Sequence, residues 1–410
     1  MMVTAITIVF ILLTLILSEK WAFGLTFVFQ SIYFQNGSID ISSYGFLIIL
    51  CRLIVSRKLD IPKVIEQYNT VKLFVLILVI HVLWSVSWGA NAKEFIFANI
   101  RILVSVFTYC YFINEKINVK FWIFIVLLPF FLLITHNYLL ANELHPYYET
   151  VKEFGRLSGR TITGEMLNSN QVAYTIFSLF VMFNLLIFHE KNIKIKFEKI
   201  LISIMGTTLL IVSGSLGSRV VIISTLLLLL IFFLGTRVVL GLSIVFLIFF
   251  TITDYSSIEV PLIGEEANAR LQEIGTEETS IESEMSRALI LSSGLNILLD
   301  NFVLGVGTGR VLETMNTDRY LGHTMMMHNV FLDYAVQFGL VGIILSIWIV
   351  YLGIKIFKLK NNLGIIFLFS IILPNFGHNF FLISVTPFLM AMMEKYSKTF
   401  NTQITLSKTW

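Results

Sequence analysis

Long apolar runs alternate with short polar connections along most of the chain. Runs of roughly 15 to 22 apolar residues suit bilayer-crossing α-helices, because such a helix satisfies all of its backbone hydrogen bonds internally. The pattern predicts spans at residues 3–17, 21–35, 43–56, 71–89, 96–114, 120–140, 170–188, 199–213, 219–234, 238–253, 335–354, 362–375 and 379–394. Because Gln30, Asn36 and Ser42 interrupt the first three runs, we expect an all-α, polytopic membrane protein with about 12–13 transmembrane helices.

These spans divide the chain into five regions, two of which are long polar loops. The regions are the N-terminal transmembrane helices (1–140), a first loop (141–169), the central transmembrane helices (170–253), a large loop (254–334) and the C-terminal transmembrane helices with a tail (335–410). Within the large loop, a polar start and helically spaced apolar positions from Ile281 to Leu299 predict an amphipathic helix on or dipping into the membrane surface. A loop of this length is uncommon without a function of its own.

The composition and the charge pattern support this arrangement. The chain is 56% hydrophobic and only 13% charged, whereas soluble domains carry about 25% charged residues. From Arg52 onward, every second connection is rich in lysine and arginine, which predicts that these connections and the C-terminal tail are cytoplasmic. The loops 141–169 and 254–334 then lie on the opposite side. Both cysteines, Cys51 and Cys110, fall in apolar segments, which argues against a disulfide or zinc framework.

Several arginines fall on the side that is predicted to be external. An arginine there is disfavoured by the positive-inside rule, so Arg219, which follows a tight turn, needs a protein carboxylate or an anionic ligand. A guanidinium group suits phosphate oxygens because it offers a rigid set of donors at permanent charge. Arg287 could instead pair with Glu284 on a helix surface, and the two arginines of the first loop could be solvated. The candidate anion-binding residues are Arg156, Arg160, Arg219, Arg287 and Arg310.

The segment from Asn301 to Gly342 combines glycines, arginines and two histidines beside apolar spans. Its G-x-G-x-G run at 305–309 lacks the flanking strand of a nucleotide site, so we interpret it as a flexible turn that brings its backbone and Arg310 to a substrate. His328 precedes Asn329 at the start of a span. It is a candidate general base for a hydroxyl nucleophile, with helix capping or core packing as the alternative.

The order of these motifs resembles the O-antigen ligase and O-antigen polymerase family of bacterial envelope proteins. The residues that carry the resemblance are Arg219 in GSR, Arg287, GVGTGR at 305–310 and the run HNVFLDYAVQFGLVG from His328, over roughly 150–350. The resemblance implies an inverting, metal-independent glycosyltransferase of the all-helical membrane (GT-C-like) class, without a cofactor. The sequence contains no D-x-D pair, the usual carboxylate handle for a divalent ion.

The resemblance also implies roles, partners and a location. Arg219 and His328 would be catalytic, with His328 acting as a base or orienting the diphosphate. The five candidate arginines would bind the substrate diphosphate, and Asn170 and Asn329 would support them. The expected partners are an undecaprenyl-diphosphate-linked oligosaccharide and membrane lipids, with a chain-length regulator protein as a candidate; nucleic acid is not expected. The protein would lie in the bacterial inner membrane with its active site facing the periplasm.

Three functions remain open at this point. We favour an O-antigen or capsular polysaccharide polymerase, because nothing in the sequence marks a site for a lipid A–core acceptor. An O-antigen ligase is the alternative within the family. A flippase or transporter of polysaccharide precursors is the alternative of another class. A transporter would be expected to carry its charges at the bilayer midplane and to contain internal repeats. In this chain the charges gather on one side and in one long loop, and no long internal repeat stands out in the sequence.

Overall fold

Helices make up nearly all of the ordered elements. The computed structural model describes residues 2–36, 39–88, 92–114, 119–141, 144, 169–189, 195–215, 218–234, 277–322, 327, 329–359, 365–377 and 385–407. The helices are α1 (Met2–Ile16), α2 (Glu19–Ser31), α3 (Ser42–Val55), α4 (Ile61–Gln67), α5 (Asn69–Trp88), α6 (Ala92–Asn114), α7 (Val119–Ala141), α8 (Ser169–His189), α9 (Ile195–Ser215), α10 (Arg219–Leu234), α11 (Glu277–Asp300), α12 (Val311–Met315), α13 (Val330–Phe338), α14 (Leu340–Leu359), α15 (Leu373–Gly377) and α16 (Val385–Ser407). A π-helical stretch, Leu368–Ile372, precedes α15, and the two-residue strands β1 (Gln35–Asn36) and β2 (Ile39–Asp40) pair antiparallel.

The helices confirm the predicted all-α, polytopic membrane fold. Within the described ranges, α6, α7 and α8 each contain a stretch long and apolar enough to cross a membrane, and α4 with α5 forms a fourth candidate that is bent by 107°. Shorter apolar stretches of 10–17 residues occur in α1, α3, α9, α10, α11 and α14, and also at Ile365–Asn375. The predicted span 238–253 lies outside the described residues, so the number of 12–13 spans stays a prediction.

The chain divides into two compact units, and the first comprises residues 1–60, 108–276 and 383–385. Its core contains an aromatic cluster in which Phe23 of α2 stacks on Phe112 at 4.4 Å and meets the Trp122 ring edge-on at 5.5 Å. Arg52 of α3 donates to the carbonyl oxygens of Thr14 and Leu17, across 2.7 and 2.9 Å. These carbonyls belong to the end of α1, where a cation satisfies groups that lack helical partners.

The second unit comprises residues 61–107, 277–382 and 386–410. At the start of α5, the buried carboxylate of Glu394 in α16 accepts the backbone N–H groups of Asn69 and Thr70, across 2.8 and 2.9 Å. It also accepts the side-chain donors of the same two residues, each across 3.0 Å. A negative charge suits this position because the first N–H groups of a helix have no helical partner and carry partial positive charge.

The predicted span 335–354 differs from the structure. Two helices, α13 and α14, meet at Gly339 with a φ of 59°, so the predicted boundary between 334 and 335 falls inside α13. A Cβ on Gly342 would lie 1.8 Å from the carbonyl oxygen of Tyr334, so the first turn of α14 packs directly on the backbone of α13. The hydropathy pattern runs through both helices, which explains why the break was not predicted.

Candidate functional site

The glycine-rich run 305–309 closes the C-terminal end of α13. The backbone N–H groups of Val306 and Gly307 donate to the carbonyl oxygens of Val336 and Gln337, each across 2.9 Å. These carbonyls lie in the last turn of α13 and have no partner within the helix. The turn therefore acts as a helix cap that is supplied from a different part of the chain.

The glycines of this turn are required by its conformation. Gly305, Gly307 and Gly309 have φ values of 69°, 97° and 77°, in the left-handed region that side chains rarely adopt. A Cβ on Gly305 would lie 2.4 Å from the carbonyl oxygen of Gln337. Because the N–H groups of Val306 and Gly307 are already bonded to carbonyls, the prediction that this turn offers its backbone to a substrate is wrong for these two groups.

Arg310 follows the turn directly, at the position before α12. Its side chain is 45% exposed, and its Nε lies 3.7 Å from an oxygen of Glu313, whose side chain is also exposed. An ion pair at that distance between exposed groups contributes little. The guanidinium of Arg310 therefore lies at the surface of the second unit, on a backbone position that the turn fixes.

Asp300, the last residue of α11, holds the loop that follows α12. Its carboxylate lies 2.8 Å from Arg319 Nη2, and the same oxygen accepts the hydroxyl of Tyr320 across 2.8 Å. Desolvation and this hydrogen bond raise the pKa of Tyr320. Asp300 cannot be recognised from the sequence alone, because its partners lie 19 and 20 positions further along the chain.

Asn329 begins α13 and caps it. Its side-chain oxygen accepts the backbone N–H groups of Phe331 and Leu332, across 2.9 and 3.1 Å, and its φ and ψ are extended. This is the geometry expected of an asparagine N-cap. His328 itself lies outside the described residues, between Asn329 and the buried Met327. The structure thus gives Asn329, predicted as a supporting site residue, a definite part in positioning the start of α13.

One apolar cluster joins these elements. Its members come from α11, the glycine-rich turn, α12, α13 and the intervening loop: Ile290, Ile297, Val306, Val311, Met315, Met327, Leu332 and Val336. Arg310 and Asn329 therefore lie next to residues of one packed cluster. We call the elements that form it, from α11 through the glycine-rich turn and α12 to α13, the α11–α13 framework. Arg287 lies on α11 of the same framework, and its side chain is outside the described part of the structure.

The remaining predicted residues belong to the first unit. Arg219 is the first residue of α10, and its side chain is not among those described; Asn170 is half-buried near the start of α8. Arg156 and Arg160 lie outside the described residues. Three serines around Arg219 are buried, and their hydroxyls find no hydrogen-bond partner within the described ranges; these are Ser213, Ser218 and Ser224. Nothing in the sequence marks these serines, since a serine in an apolar helix usually bonds to a carbonyl of the preceding turn.

The fold and the motif order define an all-α, polytopic membrane protein in which one long and two short helices form the α11–α13 framework. Residues 201–347 match the family model described as O-Antigen ligase. This match confirms the family predicted from the sequence, and the region is a domain of the O-antigen ligase family. The matched residues include Arg219, Arg287, Arg310, His328 and Asn329, whereas Arg156, Arg160 and Asn170 precede them.

No curated protein matches the chain. The family match supports an enzyme of the O-antigen ligase or polymerase type, with lipid-linked polysaccharide and membrane lipids as its partners.

Proposed function

We propose that the protein is an O-antigen or capsular polysaccharide polymerase that joins undecaprenyl-diphosphate-linked repeat units at the periplasmic face of the bacterial inner membrane. The observation that carries this proposal is the family match over 201–347, which contains Arg219, Arg287, Arg310 and His328 in order. The same chemistry serves a ligase. The polymerase is favoured because the sequence offers no recognisable site for a lipid A–core acceptor.

In the proposed reaction, a sugar hydroxyl of one lipid-linked glycan attacks the anomeric carbon of another. A bond forms between the hydroxyl oxygen and that carbon, and the bond from the carbon to the diphosphate breaks with inversion. The hydroxyl proton passes to the imidazole of His328, which suits a base that works near neutral pH. The departing undecaprenyl diphosphate carries the electron pair.

Arginines are the proposed electrostatic partners of the leaving group. Arg219, Arg287 and Arg310 would neutralise charge that develops on the diphosphate, as fixed cations do at other leaving groups. Arg156 and Arg160 are proposed to contact the same group from the first loop. The buried, unpartnered hydroxyl of Ser218, beside Arg219, supports this assignment because it is a donor without a protein acceptor among the described residues. The reaction is proposed to need no metal ion.

The two ends of α5 support the proposed sidedness. Its first residues bind Glu394, which precedes the basic tail, whereas Trp84 near its other end donates to the carbonyl oxygen of Leu304, across 2.6 Å. These contacts are 15 residues apart, or about 22 Å along a helix axis, against about 30 Å for a hydrocarbon core. Glu394 and Leu304 belong to segments that the charge pattern assigns to opposite sides of the membrane, and they contact opposite ends of α5.

The phenotype of a null strain tests the proposal. For a polymerase in an O-antigen pathway, polysaccharide gels should show single repeat units on lipid A–core and no ladder, and plasmid-borne protein should restore the ladder. Full-length chains that remain on undecaprenyl diphosphate would instead identify a ligase. Accumulation of lipid-linked units on the cytoplasmic side would identify a flippase.

A further inference from the structure

The exposed side of α11 carries two parallel stripes of opposite character. Residues four apart on a helix share a face. One exposed stripe is apolar and consists of Leu291, Leu295 and Leu299. The neighbouring exposed stripe is polar from Ser292 onward and consists of Ser292, Asn296 and Asp300, with the exposed Leu289 three residues before it. The third face is buried in the α11–α13 framework through Ile290, Ser293, Gly294 and Ile297.

The apolar stripe continues beyond the end of α11. Leu299 is 72% exposed, and the turn that follows exposes Phe302, Val303 and Leu304, of which Val303 reaches 66%. The backbone of this turn is fixed at two points: the carbonyl oxygen of Val303 accepts the N–H of Leu340 across 3.3 Å, and that of Leu304 accepts the indole N–H of Trp84 across 2.6 Å. The six apolar side chains therefore stand on a well-held backbone, and their exposure does not follow from a loose loop.

Both helices that fix the turn present apolar outer faces. On α5, the residues just before Trp84 that are exposed are Val79, Val82 and Leu83. On α14, the exposed apolar residues are Leu340, Ile344, Ile347, Val350, Tyr351 and Ile354. Trp84 lies at the junction, and tryptophan prefers the boundary between hydrocarbon and headgroups, where its ring is apolar and its N–H is bonded.

We propose that Leu291, Leu295, Leu299 and the turn 302–304, together called the leucine surface, insert into the outer leaflet of the bilayer. The occupant is lipid because the surface continues onto the outward apolar faces of α5, which forms a candidate span together with α4, and of α14. The polar stripe beside it faces the headgroups and water. The helix α11 thus lies along the membrane boundary, with one stripe on each side of it.

This placement fixes the depth of the proposed site. Arg310 follows Leu304 by six residues and is mounted on the α11–α13 framework. Its guanidinium then lies at the level of the lipid phosphates, so it meets the diphosphate of a lipid-linked glycan while the lipid stays in the bilayer. This second step rests on the proposed function, whereas the leucine surface does not.

The insertion of the leucine surface is tested by attaching nitroxide spin labels to the protein in proteoliposomes and measuring how accessible each label is to apolar and to water-soluble reagents. Cys51, the exposed cysteine, is replaced by serine, and the buried Cys110 is kept. Single cysteines are introduced as Leu295→Cys and Val303→Cys, with Ser292→Cys and Asn296→Cys as matched polar controls on the same element, and Leu83→Cys as the lipid reference. Each variant is labelled in the full-length chain, and collisions with oxygen and with a water-soluble nickel chelate are measured.

If the leucine surface is inserted in lipid, the ratio of oxygen to nickel accessibility at positions 295 and 303 should be several-fold higher than at positions 292 and 296. The ratio at 295 and 303 should also be close to the ratio at position 83. Equal nickel accessibility at all four positions would show that the surface faces water and would overturn the proposal. Low accessibility to both reagents at 295 and 303 would show that protein, such as a second copy of this chain, covers it, which would also overturn it. Neither outcome would change the gel phenotype that tests the polymerase function.

Discussion

The backbone N–H of Gly307 donates to the carbonyl oxygen of Gln337, 30 positions further along the chain, across 2.9 Å. This bond and the parallel one from Val306 to Val336 join the glycine-rich turn to the end of α13. The helix α13 is thereby held at both ends, since Asn329 caps its beginning. The residue before Asn329 is His328, the proposed base, so the cap lies next to it and the glycine-rich turn holds the opposite end of the same helix.

Gly305→Ala should destabilise the protein far more than Gly322→Ala. Both glycines have positive φ, which costs an alanine about 1–2 kcal/mol. At Gly305 the added Cβ would also lie 2.4 Å from a carbonyl oxygen, whereas no atom of the described residues lies within 4 Å of the corresponding position at Gly322. Thermal unfolding in detergent should give a lower midpoint for Gly305→Ala than for Gly322→Ala. Equal midpoints would contradict the tight packing of the turn on α13.

Asn329→Ala should lose a helix cap, and Asn329→Asp should restore it. The cap is worth about 1 kcal/mol, and aspartate accepts the same two backbone N–H groups. We expect polymer length and thermal stability to fall together in the alanine variant and to recover together in the aspartate variant. If the aspartate variant is stable but makes no polymer, Asn329 has a direct role at the substrate beyond capping.

Arg310 and Glu313 should respond differently to neutralisation. Glu313→Gln removes an exposed ion-pair partner at 3.7 Å, so polymer ladders should be unchanged. Arg310→Ala should reduce polymer by more than tenfold if the guanidinium binds a diphosphate, which corresponds to about 1.4 kcal/mol of lost binding. Arg310→Lys should recover part of the activity, because lysine keeps the charge but not the fork of donors. Loss of polymer in Glu313→Gln would show that the ion pair is what matters.

Glu394→Ala should weaken the attachment of α16 to α5. The carboxylate accepts four hydrogen bonds at the buried start of α5, and its removal leaves those donors unsatisfied at a cost of about 1–3 kcal/mol. Thr70→Val removes only the hydroxyl donor and should cost less. Limited proteolysis of membranes should cleave α16 faster in Glu394→Ala than in Thr70→Val. Unchanged cleavage in both variants would contradict an anchoring role for Glu394.

Much of the helical fold could be predicted from hydropathy, but the local breaks could not. The span near 120–140 and the helix near 281–299 were visible because apolar positions recur over many residues. The break at Gly339 was not, because leucine and valine continue on both sides of it. The glycine is required by its positive φ and by its close contact with the backbone of Phe302 and Val303, and neither can be recognised from hydropathy.

The candidate site shows the same division. The candidate arginines and His328 could be proposed from charge and loop position, on the side that is predicted to be external. Asp300 and Ser218 could not, because their importance depends on partners that the sequence does not bring together. The glycine-rich turn was located correctly, but its N–H groups face the carbonyls of α13 because of packing between distant segments.

The polymerase function is tested most directly by a reaction with purified protein in lipid nanodiscs and undecaprenyl-diphosphate-linked repeat units as the sole glycan. Gel analysis should show a ladder of elongated glycans with release of undecaprenyl diphosphate. Arg219→Ala and His328→Ala should each abolish the ladder while still inserting into the nanodisc. If the wild-type protein elongates nothing but transfers glycan once lipid A–core is added, the protein is a ligase and the polymerase proposal is wrong.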